Sequence, residues 1–165
     1  MFGRGKAISK EKAAKSFALW IQLYYSSEIL KIVKKQGENP EEAAVLGLFH
    51  GIALLFWELE KAIGSGMLTQ EKVLDLKIKT IEYLVNSTSG NDKLSEDGIK
   101  SFTIWIYDLY DKLGLTQYTE EEEAIEHIST SICEMSGITK EKSIRELTEN
   151  LHRYFSRLIT TKKVE

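Results

Sequence analysis

The chain has 165 residues, 42% of them hydrophobic, which suits one domain with a buried core. Its single cysteine excludes an internal disulfide, and no apolar signal segment follows Met1, so we expect a reducing, cytoplasmic compartment. The formal net charge is −3, but eight basic and three acidic residues occupy 1–38, whereas three basic and eleven acidic residues occupy 87–138. An acidic chain argues against a protein that binds nucleic acid over its whole surface.

Residues 1–9 (MFGRGKAIS) are basic, contain glycine and have no helical periodicity, so we expect a mobile arm. A first helix is predicted from about Lys10 to about Lys35, because apolar residues recur there at helical spacing and Gly37 follows. The apolar stripe of this helix is Phe17, Trp20, Ile21 and Tyr24.

The most apolar part of the sequence is residues 43–57, AAVLGLFHGIALLFW, which carries no charged side chain. Asn39 and Pro40 precede it as helix cap and first helical residue, and Gly64 follows, so we predict a helix to about Ile63. A helix that is apolar nearly all round must be covered by other helices and is predicted to be the hub of a bundle. Fifteen residues rise only about 22 Å, less than the ~30 Å hydrocarbon core, so we exclude a membrane span.

Three residues within this helix have predicted roles. Gly47 and Gly51 lie on one face, where the missing side chains allow a neighbouring helix to approach closely. We predict that His50 is a neutral core residue with a hydrogen-bond partner for its ring N–H.

Four more helices complete an all-α, six-helix bundle with antiparallel neighbours, forming a single domain over 1–165. The third helix runs from a Thr69 cap to about Val85, and residues 86–92 (NSTSGND) are a predicted linker. The fourth begins at Ser95 and ends at Gly114, the fifth follows a capping box of Thr119 and Glu122, and the sixth runs from Thr139 to about Thr160. We expect the tail 162–165 to fray. The predicted inward residues include Leu74, Ile78, Ile81 and Val85 in the third helix, Trp105 and Ile106 in the fourth, Ile125, Ile128, Ile132 and Met135 in the fifth, and Ile144, Leu147, Leu151, Phe155 and Leu158 in the sixth.

The two halves of the chain resemble each other. Residues 15–25 (KSFALWIQLYY) and 100–110 (KSFTIWIYDLY) are identical at six of eleven positions, and 65–72 (SGMLTQEK) resembles 136–142 (SGITKEK). We therefore predict a duplicated three-helix unit over about 10–86 and 95–160, with Trp20 equivalent to Trp105; chance similarity between amphipathic helices is the alternative.

The repeats are unequal in length, and the first helical hairpin is predicted to project about two turns beyond the second. Apolar side chains on that projection would then lack cover and bind another chain, either a helical partner or a second copy in a symmetric dimer. The predicted central contacts are Ile29, Val33 and Val45. The alternative is a monomer in which the N-terminal arm or the linker folds back over this surface.

Metal binding is a second hypothesis. Glu149 and His152 have the Glu-x-x-His spacing of di-iron bundles, and Glu123 precedes His127 by one turn on the preceding helix. A complete di-iron site needs a second such pair and two further carboxylates. Helix-borne carboxylate pairs at 123/126 and 146/149 are also compatible with Mg²⁺ held against a phosphate, in an all-α enzyme. We find no phosphate-binding loop, dinucleotide motif or zinc spacing, and predict no cofactor.

Nucleic-acid association is a third hypothesis. Arg4, Lys6, Lys10 and Lys12 are placed to contact phosphates, although the overall negative charge disfavours it. Taken together, the sequence favours a non-catalytic helical protein–protein interaction or adaptor protein. The alternatives are an all-α enzyme or metal-binding bundle, and a small nucleic-acid-associated subunit.

Overall fold

A computed structural model of the protein describes residues 5–36, 40–88, 95–139 and 141–165, with the backbone alone for 40–44, 88 and 141. Within these ranges the protein consists of helices and their connections, which confirms the all-α prediction. Helix α1 has α-helical turns over Lys10–Leu19 and Ser27–Lys35, joined by a π-helical segment, Trp20–Ser26. The other helices are α2 Pro40–Gly64, α3 Gln70–Thr88, α4 Glu96–Leu113, α5 Glu121–Ser136 and α6 Glu141–Thr161, with a 3₁₀ turn at Leu115–Gln117.

Most predicted helix ends are confirmed. The hydroxyls of Thr69 and Ser95 accept the backbone N–H of Lys72 and Gly98. Gly114 and Gly137 end α4 and α5 in the left-handed conformation that glycine adopts without steric cost. The capping box predicted at the start of α5 is wrong, because the cap residue is Glu120 and its side chain makes no capping hydrogen bond. Three glutamates in the first turn of α5 complement the helix dipole instead. The predicted Asn39 cap lies outside the described residues.

Helix α2 lies in the interior and packs against the other five helices. Its residues 50–59 are all buried. The two glycines of α2 face the π-helical segment: a Cβ on Gly47 would lie 2.8 Å from Ser26 Cα, and one on Gly51 would lie 2.9 Å from Ile21 Cγ2. The close approach predicted for Gly47 and Gly51 is therefore confirmed. Since 47 meets 26 and 51 meets 21, α1 and α2 run in opposite directions.

Helix α1 is held on its remaining sides by α3 and α6. Lys10 pairs with Asp75 of α3 at 2.6 Å. On the other side, the Tyr25 hydroxyl meets Thr148 Oγ1 of α6 at 2.9 Å, and the rings of Phe17 and Phe155 pack edge to face. In the second half of the chain, α4 packs against α2 and α3, whereas α6 packs against α5, α2 and the π-helical segment.

The predicted inward face of α3 is partly wrong. Leu74 and Ile78 are exposed, and the helix buries instead the face that carries Val73, Leu76, Lys77, Thr80 and Ile81. Helix α1 lies along α3, and the buried face of α3 is rotated to one side of the predicted stripe. Two other predicted inward residues, Trp105 and Met135, are also exposed, while the inward residues predicted for α6 are buried or half-buried.

Both chain ends differ from prediction where they are described. The N–H of Ile8 donates to the Lys163 carbonyl and the N–H of Glu165 donates to the Ile8 carbonyl, each at 2.9 Å. Val164 is buried in the core. The tail 162–165 is thus paired with residue 8 instead of frayed, because its backbone groups and one apolar side chain find partners. Residues 1–4 of the predicted arm lie outside the described residues.

The predicted projecting hairpin is also corrected. Ile29 and Val33 are buried, because the last turns of α1 pack against α2. The predicted linker begins later than expected, since α3 continues to Thr88, and its residues 89–92 lie outside the described part of the chain. Among the helices that are described, none combines the length and apolar character needed to cross a membrane.

Candidate functional site

The first candidate site is an apolar groove where α4 rests on α2 and α3. We call it the Trp105 groove; it has a volume of about 340 Å³. The Trp105 ring packs at 78° against Phe49 of α2, with centroids 4.6 Å apart, and at 52° against Phe102. Its lining residues are Val45, Leu48, Phe49, Ile52, Leu84, Val85, Phe102 and Trp105.

Large apolar side chains next to this groove face water. The exposed fractions are 45% for Trp105 and 47% for Val45, which both line the groove. Ile104, which precedes Trp105 on α4 and does not line the groove, has an exposed fraction of 70%. Helix α4 has three consecutive apolar residues, 104–106, and only Ile106 reaches the core. Exposed apolar side chains grouped in this way are typical of binding surfaces and not of the ordinary surface of a monomer.

A second apolar space lies on the other side of Phe49, between α2, α4 and α5. This space, the His50 cavity, has a volume of about 260 Å³, and Leu109, Leu113 and Met135 form part of its wall. The residues with polar groups that line it are His50, Ser131, Tyr110 and Lys112, whose ammonium group pairs with Asp108 at 2.8 Å.

The hydrogen bonds of His50 fix its ring. Nδ1 lies 2.7 Å from the Leu46 carbonyl oxygen, which can only accept, so Nδ1 carries the proton. Nε2 then accepts from the Ser131 hydroxyl at 2.9 Å. Burial lowers the pKa of His50 to about 4, so the ring is neutral. The predicted hydrogen-bonded core histidine is confirmed.

Ser131 and His50 are arranged like the nucleophile and the general base of a hydrolase, and the Leu46 carbonyl orients the imidazole. Two features argue against catalysis there. A histidine with a pKa of about 4 is a weak base at neutral pH. Ser131 also lies within α5, where the neighbouring backbone N–H groups are used by the helix and do not form an oxyanion site. The arrangement holds two polar groups inside an apolar cavity.

Two charged networks flank the end of α2. Lys77 is buried, donates to Glu60 at 2.9 Å, and lies over the rings of Phe56 and Tyr107. Tyr110 donates to the other oxygen of Glu60 at 3.0 Å, and burial, together with the charge of Glu60, raises the pKa of Tyr110. Each carboxylate oxygen of Glu60 therefore accepts one hydrogen bond, from Lys77 or from Tyr110.

The second network surrounds His152. Its Nδ1 contacts Glu58 Oε1, and its Nε2 lies 3.1 Å from Glu121 Oε2. The other carboxylate oxygen of Glu121, Oε1, accepts from Lys61 at 2.9 Å. Burial lowers the pKa of His152, but the hydrogen bond to Glu58 and the charges of both carboxylates outweigh it and raise the pKa overall. An imidazole between two carboxylates can donate from both nitrogens only when it is protonated.

The residues of the metal hypothesis are not brought together. His127 contacts Tyr118 and the Leu113 carbonyl, and Glu149 pairs with Arg145 and Arg153 on its own helix. Glu123 is exposed in the first turn of α5. In the part of the chain that the structure describes, no group of three His, Cys, Asp or Glu side chains is arranged to hold a metal ion. Glu123, His127, Glu149 and His152 are therefore not grouped as predicted, and each histidine already has other hydrogen-bond partners.

The residues predicted to contact phosphates or a protein partner differ in whether they are accessible. Lys10 is engaged by Asp75 and is not free for a phosphate, whereas Lys6 and Lys12 are exposed. Arg4 lies outside the described residues. Of the predicted partner contacts, Ile29 and Val33 are inaccessible, and Val45 lies in the Trp105 groove.

Sequence reasoning missed that Ile104, Trp105 and Met135 face solvent. The one available signal was the run of apolar residues at 104–106, which is wider than a single buried face of a helix can accommodate. Comparison with protein-family models, curated proteins and solved structures finds no match for this chain.

Proposed function

We propose that this chain is a non-catalytic helical interaction or adaptor protein that binds an amphipathic helix of a protein partner at the Trp105 groove. The observation that supports this proposal is that two exposed apolar side chains, Val45 and Trp105, line an open apolar groove. A helix that lays its apolar face into such a groove would bury these side chains, and burial of aromatic side chains dominates the energy of many interfaces.

The charge around the groove favours a partner with basic flanks. Helix α4, which supplies Phe102 and Trp105 to the groove, contains four acidic and two basic residues. Since Lys112 is paired with Asp108, little of the positive charge is free. A partner helix with lysine or arginine on both sides of its apolar face would complement this surface and associate faster at low salt.

The test places a photo-crosslinking amino acid at position 45, in the groove, or at position 23. Leu23, with an exposed fraction of 66%, is the matched control, because it is also apolar and exposed and lies on α1. We expect a specific crosslinked protein from the native host at 45 and not at 23. The crosslinked segment of that protein, made as a peptide, should bind the wild type and the Leu23→Glu variant, and Val45→Glu should weaken its binding about tenfold or more.

Three results would contradict the proposal. One is equal crosslinking at both positions, and another is a peptide affinity that Val45→Glu does not change. The third is a concentration-dependent dimer of the wild type that Val45→Glu dissociates in sedimentation, since the occupant would then be a second copy of the chain.

We further infer that the fold arose by duplication of a three-helix unit, organised around α2. The matching segments 15–25 and 100–110 support this, and so does the equivalent burial of Ile21 with Ile106 and of Tyr25 with Tyr110. We also infer a reducing, cytoplasmic compartment from the single cysteine.

A further inference from the structure

A separate cleft lies between α1 and α6. This α1/α6 cleft has a volume of about 770 Å³ and is lined by Trp20, Tyr24, Asn150, Arg153, Tyr154 and Arg157. The Trp20 and Tyr154 rings are stacked, with centroids 3.9 Å apart and an interplanar angle of 17°. The cleft therefore combines an aromatic wall with two arginines one helical turn apart.

The π-helical segment explains why aromatic side chains are available here. Ile21 and Tyr25 point inward and are buried, close to the glycines of α2. Trp20 and Tyr24, one residue before each, point toward α6 and stay half-buried. Asn150 donates to the Tyr24 hydroxyl at 3.1 Å, which fixes the edge of the wall. Segments of π-helix are rare and occur frequently at functional sites.

The rim of the cleft is positively charged although the chain as a whole is acidic. Arg153, with an exposed fraction of 73%, lies 3.9 Å from Glu149, a carboxylate that it shares with Arg145. Arg157 has no ion pair among the described residues. Lys12 is exposed on α1, two turns before Trp20, so it lies toward the same side of the helix as the cleft.

More positive charge continues beyond the cleft. The pairing of residue 8 with residue 164 brings the two ends of the chain together, and exposed Lys6, Lys162 and Lys163 belong to the paired segments. A ligand with one phosphate would use only the arginines. A ligand with phosphates at regular intervals would also reach the lysines.

We propose that the α1/α6 cleft binds single-stranded nucleic acid, with a base stacked against Trp20 and Tyr154 and the adjoining phosphates held by Arg153 and Arg157. Stacking is tolerant of sequence because every base has a π face, and arginine binds phosphate through two parallel hydrogen bonds. A double helix does not fit this scheme, because its bases are already stacked on each other. This site is distinct from the Trp105 groove and does not depend on it.

The test measures fluorescence anisotropy of a short, labelled, mixed-sequence single strand with the full-length protein. We expect binding that weakens as salt rises, with a slope of about −0.7 per phosphate contacted. Arg157→Glu should weaken binding about tenfold or more and reduce the slope. The matched control is Arg145→Glu, which makes the same charge change on the same helix outside the cleft and should leave affinity nearly unchanged.

A second variant tests the stacking. Trp20→Leu, checked for helical content, should weaken binding about 5- to 100-fold, the range for loss of one stacked base. Free mononucleotide and inorganic polyphosphate serve as competitors. Competition by mononucleotide only at far higher concentration than the strand supports the proposal.

Any of four results would overturn it. The first two are that the single strand does not bind at low salt and that Arg157→Glu and Arg145→Glu have equal effects. The other two are that polyphosphate competes as well as the strand and that mononucleotide binds as tightly as the strand. The last would make the ligand a free nucleotide.

Discussion

His50 and His152 are both buried, but their surroundings shift their pKa values in opposite directions. His50 lies among apolar side chains, so burial lowers its pKa to about 4. His152 lies between the carboxylates of Glu58 and Glu121, with Lys61 paired to the second, and its pKa is raised above the usual value of about 6.5. Because pKa shifts are linked to folding, each histidine makes stability depend on pH over a different interval.

We predict that the summed contribution of His50 and His152 to the free energy of unfolding is largest close to pH 6.5. As pH falls from about 6.5 toward 4, His50 is protonated in the unfolded chain but stays neutral in the folded protein, so the free energy of unfolding decreases. The contribution of His152 is complete below about 6.5 and is lost as pH rises through its higher folded pKa. Each slope is at most about 1.4 kcal/mol per pH unit.

Thermal melts of the wild type, His50→Gln and His152→Gln between about pH 5 and pH 8 test this prediction. His50→Gln should flatten the acid side only, and His152→Gln the alkaline side only. Identical pH profiles for the three proteins would show that neither histidine contributes.

The contact between α1 and α2 depends on two glycines at one register. A Cβ at Gly47 would meet the backbone of Ser26, which cannot move as a flexible side chain does. The π-helical segment of α1 packs on the face of α2 that carries Gly47 and Gly51. This close packing therefore requires both the π-helical backbone of α1 and the small residues of α2. The aromatic wall of the α1/α6 cleft depends on the same backbone shape.

We predict that Gly47→Ala lowers the free energy of unfolding by about 1 to 3 kcal/mol through overpacking, despite the better helix propensity of alanine. Gly64→Ala is the matched control, since a Cβ there meets no atom within 4 Å. It should be neutral or stabilise by up to about 1 kcal/mol. Urea denaturation of both variants measures the difference, and equal effects would contradict the packing role of Gly47.

Helix α2 also supplies large, fully buried side chains, among them Leu54 and Phe56. Leu54→Ala or Phe56→Ala should lower the free energy of unfolding by about 2 to 5 kcal/mol, through lost burial and the cavity left behind. Lys6→Ala, on the exposed N-terminal segment, should change it by less than about 0.5 kcal/mol. Thermal melts in which Phe56→Ala and Lys6→Ala are equally harmless would refute the central role of α2.

At the scale of the whole molecule, the chain ends close the bundle. Beyond the pairing of residues 8 and 164, the Lys10 N–H donates to the Glu165 carbonyl and the Lys72 ammonium donates to the Val164 carbonyl, each at 3.0 Å. Four residues at the C-terminus therefore connect to both α1 and α3.

Removing residues 162–165 should lower the free energy of unfolding by about 2 kcal/mol, from the lost burial of Val164 and the lost hydrogen bonds. Lys163→Ala removes only an exposed side chain and is the control. Urea denaturation curves of the truncated and full-length proteins that coincide would contradict a structural role for the tail.

Local sequence patterns determined much of the fold. The helix bounds, the caps at Thr69 and Ser95, the glycine ends at 114 and 137 and the need of His50 for a partner follow from spacing and from the chemistry of single residues. Helical periodicity also predicted the inward face of α6, which has one apolar stripe bordered by charge. These properties are local, because each depends on residues within a turn or two of one another.

Only the tertiary structure decided which neighbours cover each helix. Leu74 and Ile78 face water because α1 lies along α3, and Trp105 is exposed because Ile106 takes the inward position on α4. His152 meets Glu58 and Glu121 across 94 and 31 residues of sequence, and Trp20 meets Tyr154 across α1 and α6. Periodicity shows that a helix has an apolar face. How the helix is rotated about its own axis depends on the burial gained against all the neighbouring helices together, and the sequence of a single segment does not contain that information.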